Sequence, residues 1–320
     1  MEITDLVAKA GLPAITEIRP LSGGRGMDNR LSLVSLSDDR QVLARQPIYS
    51  LTDADPAVRS MFLRQHQVGA PEVYATAEDG SVLVEWIPGM SLADFLAMHG
   101  ASSPSTASTW RRLGTCMAAV HRLRFPAPLQ GKIGPSTLVL RPADPVDGLT
   151  ASLNASTPWI EANRPALVDA IAQLRRLIDR YTERIRAEQP CLIHADANFD
   201  NIVVNDHAVR LVDWDFPEIG YPLRELSNLD QQAYLNGAAD GLPAEFWDGY
   251  GRTYPAKLML VYRGVRCLSR LAATDWSDWE TDPDVSDSMK AELRRRHGLL
   301  EDWGASLPTL LADVDPAEGR

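Results

Sequence analysis

CLIHADANFDNIVV, residues 191–204, is the stretch on which the reading of this chain turns. Short apolar runs, Leu192-Ile193 and Ile202-Val203-Val204, bracket His194, Asp196 and Asn201 in the pattern H-x-D-x-x-x-x-N. Apolar, β-branched runs bounded by turn formers read as short strands. Asn205-Asp206 is a turn signal, and Val209 to Val212 runs back as a second strand that delivers Asp213-Trp214-Asp215. The register of such a hairpin returns Asp213 toward Asn201. A loop carboxylate, an amide oxygen and a second carboxylate therefore converge on one spot.

That set suits phosphoryl transfer. The phosphates of a nucleotide need a divalent cation, and Mg²⁺ takes hard oxygen ligands, usually one or two from protein and the rest from water and phosphate. Asn201 and Asp213 can supply them, which leaves Asp196 free to accept the proton of an incoming hydroxyl. Protein kinases use the same D-x-x-x-x-N spacing for these roles. A metal hydrolase using His194 and Asp196 as ligands lacks a second histidine at motif spacing.

Composition narrows the partners. The chain has 320 residues, 45% hydrophobic and 23% charged, ample for a buried core and two lobes. A net charge of -11 argues against nucleic acid, which requires clustered Lys and Arg. Cys116, Cys191 and Cys267 are few and far apart, so neither a zinc site nor a disulfide framework is indicated. The opening MEITDLVAKAGLP lacks the regions of a signal peptide, and no apolar run reaches the roughly 18 residues of a membrane span. The expectation is a cytoplasmic protein with reduced thiols, a monomer or a homodimer.

Outward from the motif, the texture differs on its two sides. ITEIRP, RLSLVSLSD and QVLARQPI read as strands, the last two joined by a turn at Asp38-Asp39. Asp53 to Gln67 follows as a helix with Val58, Met61 and Phe62 on its apolar face, and PEVYATAEDGSVLVEWIPG reads as two further strands. After Gly89 helices take over: SLADFLAMHG, then a helix with Trp110, Leu113, Met117, Val120 and His121 on one face. Residues 125 to 160, rich in Pro and Ser, read as irregular. Ala166 to Ala187 is a long amphipathic helix with Arg175, Arg176, Arg180 and Arg184 outward, and 244–254, 257–273 and 289–303 are helical. The fold class is α+β, with a strand-rich lobe carrying one helix (1–88) and a larger, mainly helical lobe (89–320).

These features resemble the aminoglycoside phosphotransferase and choline kinase family, small-molecule kinases with a protein-kinase-like two-lobed fold. The resemblance rests on His194-Ala195-Asp196 with Asn201, on Val212-Asp213-Trp214-Asp215, on Val84-Glu85-Trp86-Ile87-Pro88-Gly89, and on Leu113 to His121. It covers roughly residues 15 to 230. It implies Asp196 as catalytic base or hydroxyl-orienting group, Asn201 and Asp213 as metal ligands, and His194 as a brace of the loop. Asp215 is assigned to metal or to loop structure. The small lobe is the implied nucleotide-binding lobe and should clamp ATP (or GTP) with Mg²⁺. There Gly23, Gly24 and Gly26 admit phosphate oxygens close to the backbone, and Arg45 stands where kinases place a phosphate-pairing Lys. Glu85, Trp86 and Ile87 should present backbone groups to the adenine.

Two departures from the family pattern stand out. The helix that usually supplies a Glu partner for the small-lobe cation has none here, only Asp53 and Asp55 near its start. In Gly220-Tyr221-Pro222-Leu223-Arg224-Glu225-Leu226, Glu225 replaces the usual Asp, with a structural role anchoring the loop. The resemblance implies an O-phosphotransferase acting on a hydroxyl of a small molecule. An acidic stretch with Asp275, Asp278 and Glu280, interleaved with Trp276 and Trp279, suits a polyamine acceptor through ion pairs and cation–π contacts. Glu218 and Asp230 are further candidates. The favoured activity is inactivation of an aminoglycoside-like or nucleoside-like antibiotic. The alternatives are a metabolic kinase of choline, a sugar, an amino alcohol or a nucleoside, and a nucleotide-binding pseudokinase.

Overall fold

A computed structural model describes residues 1–21, 29–47, 56–133, 138–238, 241–273, 280–283 and 285–312. The small lobe is built on a five-stranded antiparallel sheet of order β1-β2-β3-β5-β4. Its strands are β1 (Ile15–Pro20), β2 (Asn29–Leu36), β3 (Gln41–Pro47), β4 (Val73–Thr76) and β5 (Val82–Glu85). Period-two alternation gives the sheet two apolar faces. Val34, Val42, Ala44 and Leu83 pack on one side with Leu6 and Val7 of helix α1 (Ile3–Lys9). Leu31, Leu43, Val82 and Val84 face the other way, into the cleft between the lobes, and Arg45 shares that face because it lies two residues from Leu43.

The small lobe thus carries two helices where the sequence led us to expect one. α1 escaped the sequence reading because about two turns of helix, with only Leu6 and Val7 buried, have too short a periodic pattern. The second helix, α2 (Pro56–Gln65), exists, but its buried face is Arg59, Ser60 and Leu63. Val58 and Phe62 are half-buried, Phe62 packing against the core, and Met61 is exposed, so the buried face is turned away from the one read from the sequence. An arginine occupies the inward position because acceptors await it there, as described below.

The larger lobe holds α3 (Leu92–His99), α4 (Ala107–His121), α5 (Pro145–Asn163), α6 (Val168–Arg186), α7 (Pro222–Leu235), α8 (Ala244–Tyr250), α9 (Ala256–Leu271) and α10 (Asp287–Ala312). α3 starts on Ser91, whose hydroxyl accepts from Asp94 N, and α8 stops at Gly251 in the left-handed region. Trp110, Leu113, Met117, Val120 and His121 are all buried along α4, and the arginines of α6 at 175, 176, 180 and 184 face solvent, as their spacing requires.

Residues 125 to 160 are not irregular. They form a hairpin, β7 (Leu129–Ile133) and β8 (Leu138–Pro142), followed by α5. β7 also pairs with β12 (Glu218–Gly220), which pairs with β9 (Cys191–Ile193), giving a sheet of order β8-β7-β12-β9. α5 begins with Pro145 in its first turn and Asp144 as N-cap, accepting from Val146 N at 2.9 Å. Its interior Pro158 made the segment look broken, yet Leu149, Leu153 and Ile160 bury against the core and hold the helix together. Here packing overrides propensity.

Candidate active site

The motif hairpin lies at the foot of the interlobe cleft. β10 (Ile202–Val204) and β11 (Val209–Leu211) pair with Ile202 opposite Leu211, and a third strand, β6 (Met90–Ser91), pairs with β10. The turn forms as its sequence dictates: Asn205 Oδ1 accepts from His207 N at 3.0 Å and Ala208 N at 2.9 Å. Beyond Leu211 the ladder gains one more bond, Val212 N to Asn201 O at 2.9 Å. Asn201 and Asp213 therefore stand at the same end of the hairpin, and both line the cleft.

Asp196 reaches this spot from β9. Ala195 sits at φ 67°, a left-handed conformation that turns the chain sharply between His194 and Asp196. Asn201 Nδ2 donates to Asp196 O at 3.0 Å and to Asp196 Oδ2 at 2.9 Å. Asn198 Nδ2 donates to the other carboxylate oxygen at 3.2 Å. Both oxygens of Asp196 are thus aimed by amides, and its side chain remains exposed. With its NH₂ spent on Asp196, Asn201 keeps Oδ1 as a hard donor. Asn198 was not singled out from the sequence. Its signal was an Asn in capping position, and its Oδ1 accepts from Asp200 N and Asn201 N.

Asp213 and Asp215 form a carboxylate pair that draws two arginines from the small lobe. Arg45 Nη2 donates to Asp213 Oδ1 and to Asp215 Oδ2, each at 2.6 Å. Arg59 Nη1 donates to the backbone carbonyl of Trp214 at 2.9 Å and to that of Asp215, and lies 3.8 Å from the Asp215 carboxylate. So the partner of Arg45 comes from the Asp213-Trp214-Asp215 segment, and α2 contributes a second cation. Asp53 and Asp55 lie outside the described residues. Burial, reinforced by Asp215, pushes the Asp213 carboxyl up to about 6, although Arg45 pulls the other way. Burial acts on Asp215 too, but Arg45 holds it below the ordinary carboxylate range.

A buried polar chain supports the loop from behind. His194 Nε2 donates to Val212 O at 2.8 Å, linking the two arms of the motif, and its ring lies 4.4 Å from that of Trp214. Burial lowers the His194 pKa, so the ring is neutral. Glu225 accepts from Ala195 N at 2.8 Å and meets His121 Nε2 at 2.9 Å, while His121 Nδ1 meets the Tyr250 hydroxyl at 2.8 Å. Glu225 is fully enclosed, which alone would raise its pKa, yet His121 and the Ala195 N–H hold it low and ionised.

The cleft has a volume near 300 Å³. Its walls are apolar, with Leu43 and Val84 above and Val203 and Val212 below, and Glu85, Trp86 and Ile87 line its inner edge. Glu85 also pairs with Arg210 of β11 at 3.1 Å, tying the two lobes. Apolar walls over a floor of convergent charged groups suit a flat aromatic base carrying phosphates. The oxygens of Asn201, Asp213 and Asp215 fit a hard divalent cation, and Arg45 already answers the same demand for positive charge.

Gly23, Gly24 and Gly26 lie outside the described residues, as do Asp275, Trp276, Asp278 and Trp279. The acidic candidates that are described have arginine partners. Glu280 pairs with Arg294 at 2.6 Å, Glu218 with Arg224 at 2.6 Å, and buried Asp230 with Arg263 at 3.3 Å. None of these pairs requires a polyamine for neutralisation. No helix among the described residues is long and apolar enough to cross a membrane.

Solved structures share this architecture. A choline/ethanolamine kinase family protein from Mesorhizobium loti aligns with a TM-score of 0.60 at 16% identity, covering 96% of this chain and 97% of that one. A thermostable mutant of the aminoglycoside phosphotransferase APH(4)-Ia, in ternary complex with AMP-PNP and hygromycin B, aligns at 0.59 with 16% identity, over 95% of this chain and 99% of that one. Spectinomycin phosphotransferase APH(9)-Ia, in complex with ADP and spectinomycin, aligns at 0.57 with 15% identity, over 95% and 97%. At such identities the likeness speaks for the fold, which is kinase-like and two-lobed. No curated protein matches the chain. The model of the phosphotransferase enzyme family APH matches residues 17–260, a span that holds the whole site described above, and the chain belongs to that family.

Proposed function

We propose that this protein transfers the γ-phosphate of ATP, or of GTP, to a hydroxyl of a small molecule. The carrying observation is that Asn201 and Asp213 line an apolar cleft and that Asp196, bonded to Asn201, is held by two side-chain amides and left exposed. In this reading Asp196 orients the acceptor hydroxyl and takes its proton. Asn201 Oδ1 and Asp213 hold Mg²⁺, which when bound neutralises charge on the phosphates, with Asp215 supporting Asp213. Arg45 turns from the carboxylate pair toward the phosphates, and the base lies between the sheet and β10, along Glu85 to Ile87. His194 and Glu225 fix the loop. Transfer then depends on positioning and charge neutralisation, and the enclosed cleft limits loss of the nucleotide to water.

The finer reading is inactivation of a hydroxylated antibiotic, aminoglycoside-like or nucleoside-like. Of the relatives in fold, one is named a spectinomycin phosphotransferase and one an aminoglycoside phosphotransferase, in complex with hygromycin B, while others are named for choline and ethanolamine. The arginine partners of Glu218, Asp230 and Glu280 favour the nucleoside-like branch over a polycationic acceptor. The test is an ADP-release assay with ATP and Mg²⁺ across both acceptor sets. Acceptor-stimulated turnover that Asp196→Asn abolishes supports the reading. Turnover unaffected by that substitution removes it.

A further inference from the structure

Behind Asp196 the charge changes sign. Arg266 of α9 donates through Nη2 to Asn228 Oδ1 and through Nε to Gln231 Oε1 at 3.2 Å. Asn228 in turn donates to Ala197 O, in the loop one residue beyond Asp196. The guanidinium is therefore two hydrogen bonds from the catalytic loop. Its partners are neutral amide oxygens. Among the described residues it meets no carboxylate at ion-pair distance, unlike Arg45, Arg224 and Arg263. Burial, with Arg270 and Arg224 nearby, pushes its pKa down to about 9, and Asp196 offsets this in part. A guanidinium does not surrender its proton at ordinary pH, so with amide oxygens as its partners this position is short of negative charge among the described residues.

Among the described residues the surroundings are short of acceptors as well. Because a guanidinium can only donate, Gln231 must turn its oxygen to Arg266, and its buried Nε2 is then left with no partner. Asp200, the other acid of this loop, is taken by Arg296 of α10 at 3.5 Å. Arg296 is itself shared with Glu292. Among the described residues, the groups behind Asp196 thus offer an acceptor arginine rather than carboxylate.

We infer that the acceptor carries an anionic group, a carboxylate or a phosphate, which Arg266 receives beside Asp196 while Asp196 takes the hydroxyl. This rests on the phosphotransferase reading above and names its substrate class. The balance is that of any hydroxyl phosphorylation: the acceptor oxygen bonds to the γ-phosphorus, the β,γ-bridging bond breaks to give ADP, and the hydroxyl proton leaves through Asp196. Arg266 is a binding residue and takes no proton.

The test uses the full chain with ATP and Mg²⁺ and four matched hydroxyl probes: glycerate (carboxylate), glycerol 3-phosphate (phosphate), glycerol (neutral) and choline (cationic). The inference expects an anionic probe to stimulate ADP release more than tenfold over glycerol and choline, and the better of the two anions identifies the group. Arg266→Gln should then raise the acceptor KM at least tenfold with a smaller change in kcat, and Arg266→Lys should restore part of it. A thermal shift with ATP and Mg²⁺ shows that each variant is folded. Stimulation confined to choline or glycerol, or an acceptor KM that Arg266→Gln leaves unmoved, overturns the inference. If ATP binds and none of the probes stimulates, the inference falls while the nucleotide reading stands. If ATP does not bind, both fall.

Discussion

At the residue scale, Asp196 and Asp213 are both acids, and their surroundings differ in the way that the separate tasks proposed for them require. Asp196 is exposed and held by two amides, which aims it without enclosing it. Replacing it by Asn should lower acceptor-dependent turnover by roughly a hundred- to ten-thousand-fold, the usual range for a lost general base, and leave nucleotide binding in place, as calorimetry would show. Asp213 stands part-exposed at the cleft floor beside Asp215, and its carboxyl is pushed up to about 6 from an ordinary 3.8. With the folded value above the unfolded one, the folded state holds this proton more tightly. The stability it contributes is complete below about pH 4 and is lost as pH rises through about 6. A metal requires the ionised form, so the proton competes with Mg²⁺. Below about pH 6 the Mg²⁺–nucleotide complex should bind about tenfold more weakly per pH unit, one proton's worth, beyond the titration of the nucleotide itself. A flat profile from pH 5 to 7 would remove that assignment.

At the element scale, the geometry of the candidate site is held by helix packing some distance from the cleft. α4 and α8 approach so closely that a Cβ on Gly114 would stand 2.0 Å from the Phe246 carbonyl oxygen, and one on Gly249 1.9 Å from that of Arg111. The obstacles are backbone atoms and cannot swing aside. Gly114→Ala should therefore cost at least the ~1–3 kcal/mol typical of overpacking, read as a lower melting temperature. The same pair of helices brings His121 to Tyr250 and, through His121, to Glu225. Glu225→Ala would leave a backbone N–H and an imidazole N–H buried without an acceptor, at about 1–3 kcal/mol each. It should also lower kcat, because Ala195 N is what Glu225 holds beside Asp196. Glu225→Gln keeps an oxygen for Ala195 N and should retain more activity than the alanine variant.

At the scale of the whole molecule, ion pairs join the lobes across the cleft, beside an apolar contact in which Leu63, Val68 and Ala70 join the core of the larger lobe. Arg45 and Arg59 reach from the sheet and α2 to the Asp213-Trp214-Asp215 segment, and Arg210 reaches back to Glu85. A polar seam of this kind can be remade when a nucleotide enters, because Mg²⁺ and phosphate offer the same charges the side chains now satisfy in one another. Arg59→Met, similar in length but without donors, should leave the Trp214 and Asp215 carbonyls unpaired. Faster amide exchange over residues 213–216 and a raised nucleotide KM are the expected results, and unchanged exchange would show that Arg59 does not hold this segment.

Much of this was legible in the chain itself. Period-two alternation in RLSLVSLSD and QVLARQPI reported the β2–β3 hairpin, and Arg45 follows Leu43 into the cleft by that same alternation. The turn at Asn205-Asp206 and the flanking apolar runs were enough to bring Asn201 beside Asp213, because a tight hairpin allows little freedom of register. What one-dimensional pattern could not supply were partners distant in sequence. The cation on α2 looks like a misplaced polar residue until the carbonyls of Trp214 and Asp215 arrive from across the cleft. α5 looks broken at Pro158 until its leucines are buried. Nor does any local signal mark Arg266, whose meaning depends on which charges the fold gathers around it and which it withholds. Local periodicity determined the strands and the motif, because those energies act between near neighbours. The charge balance of the site was decided by the tertiary structure, because electrostatic and burial energies depend on distance in space.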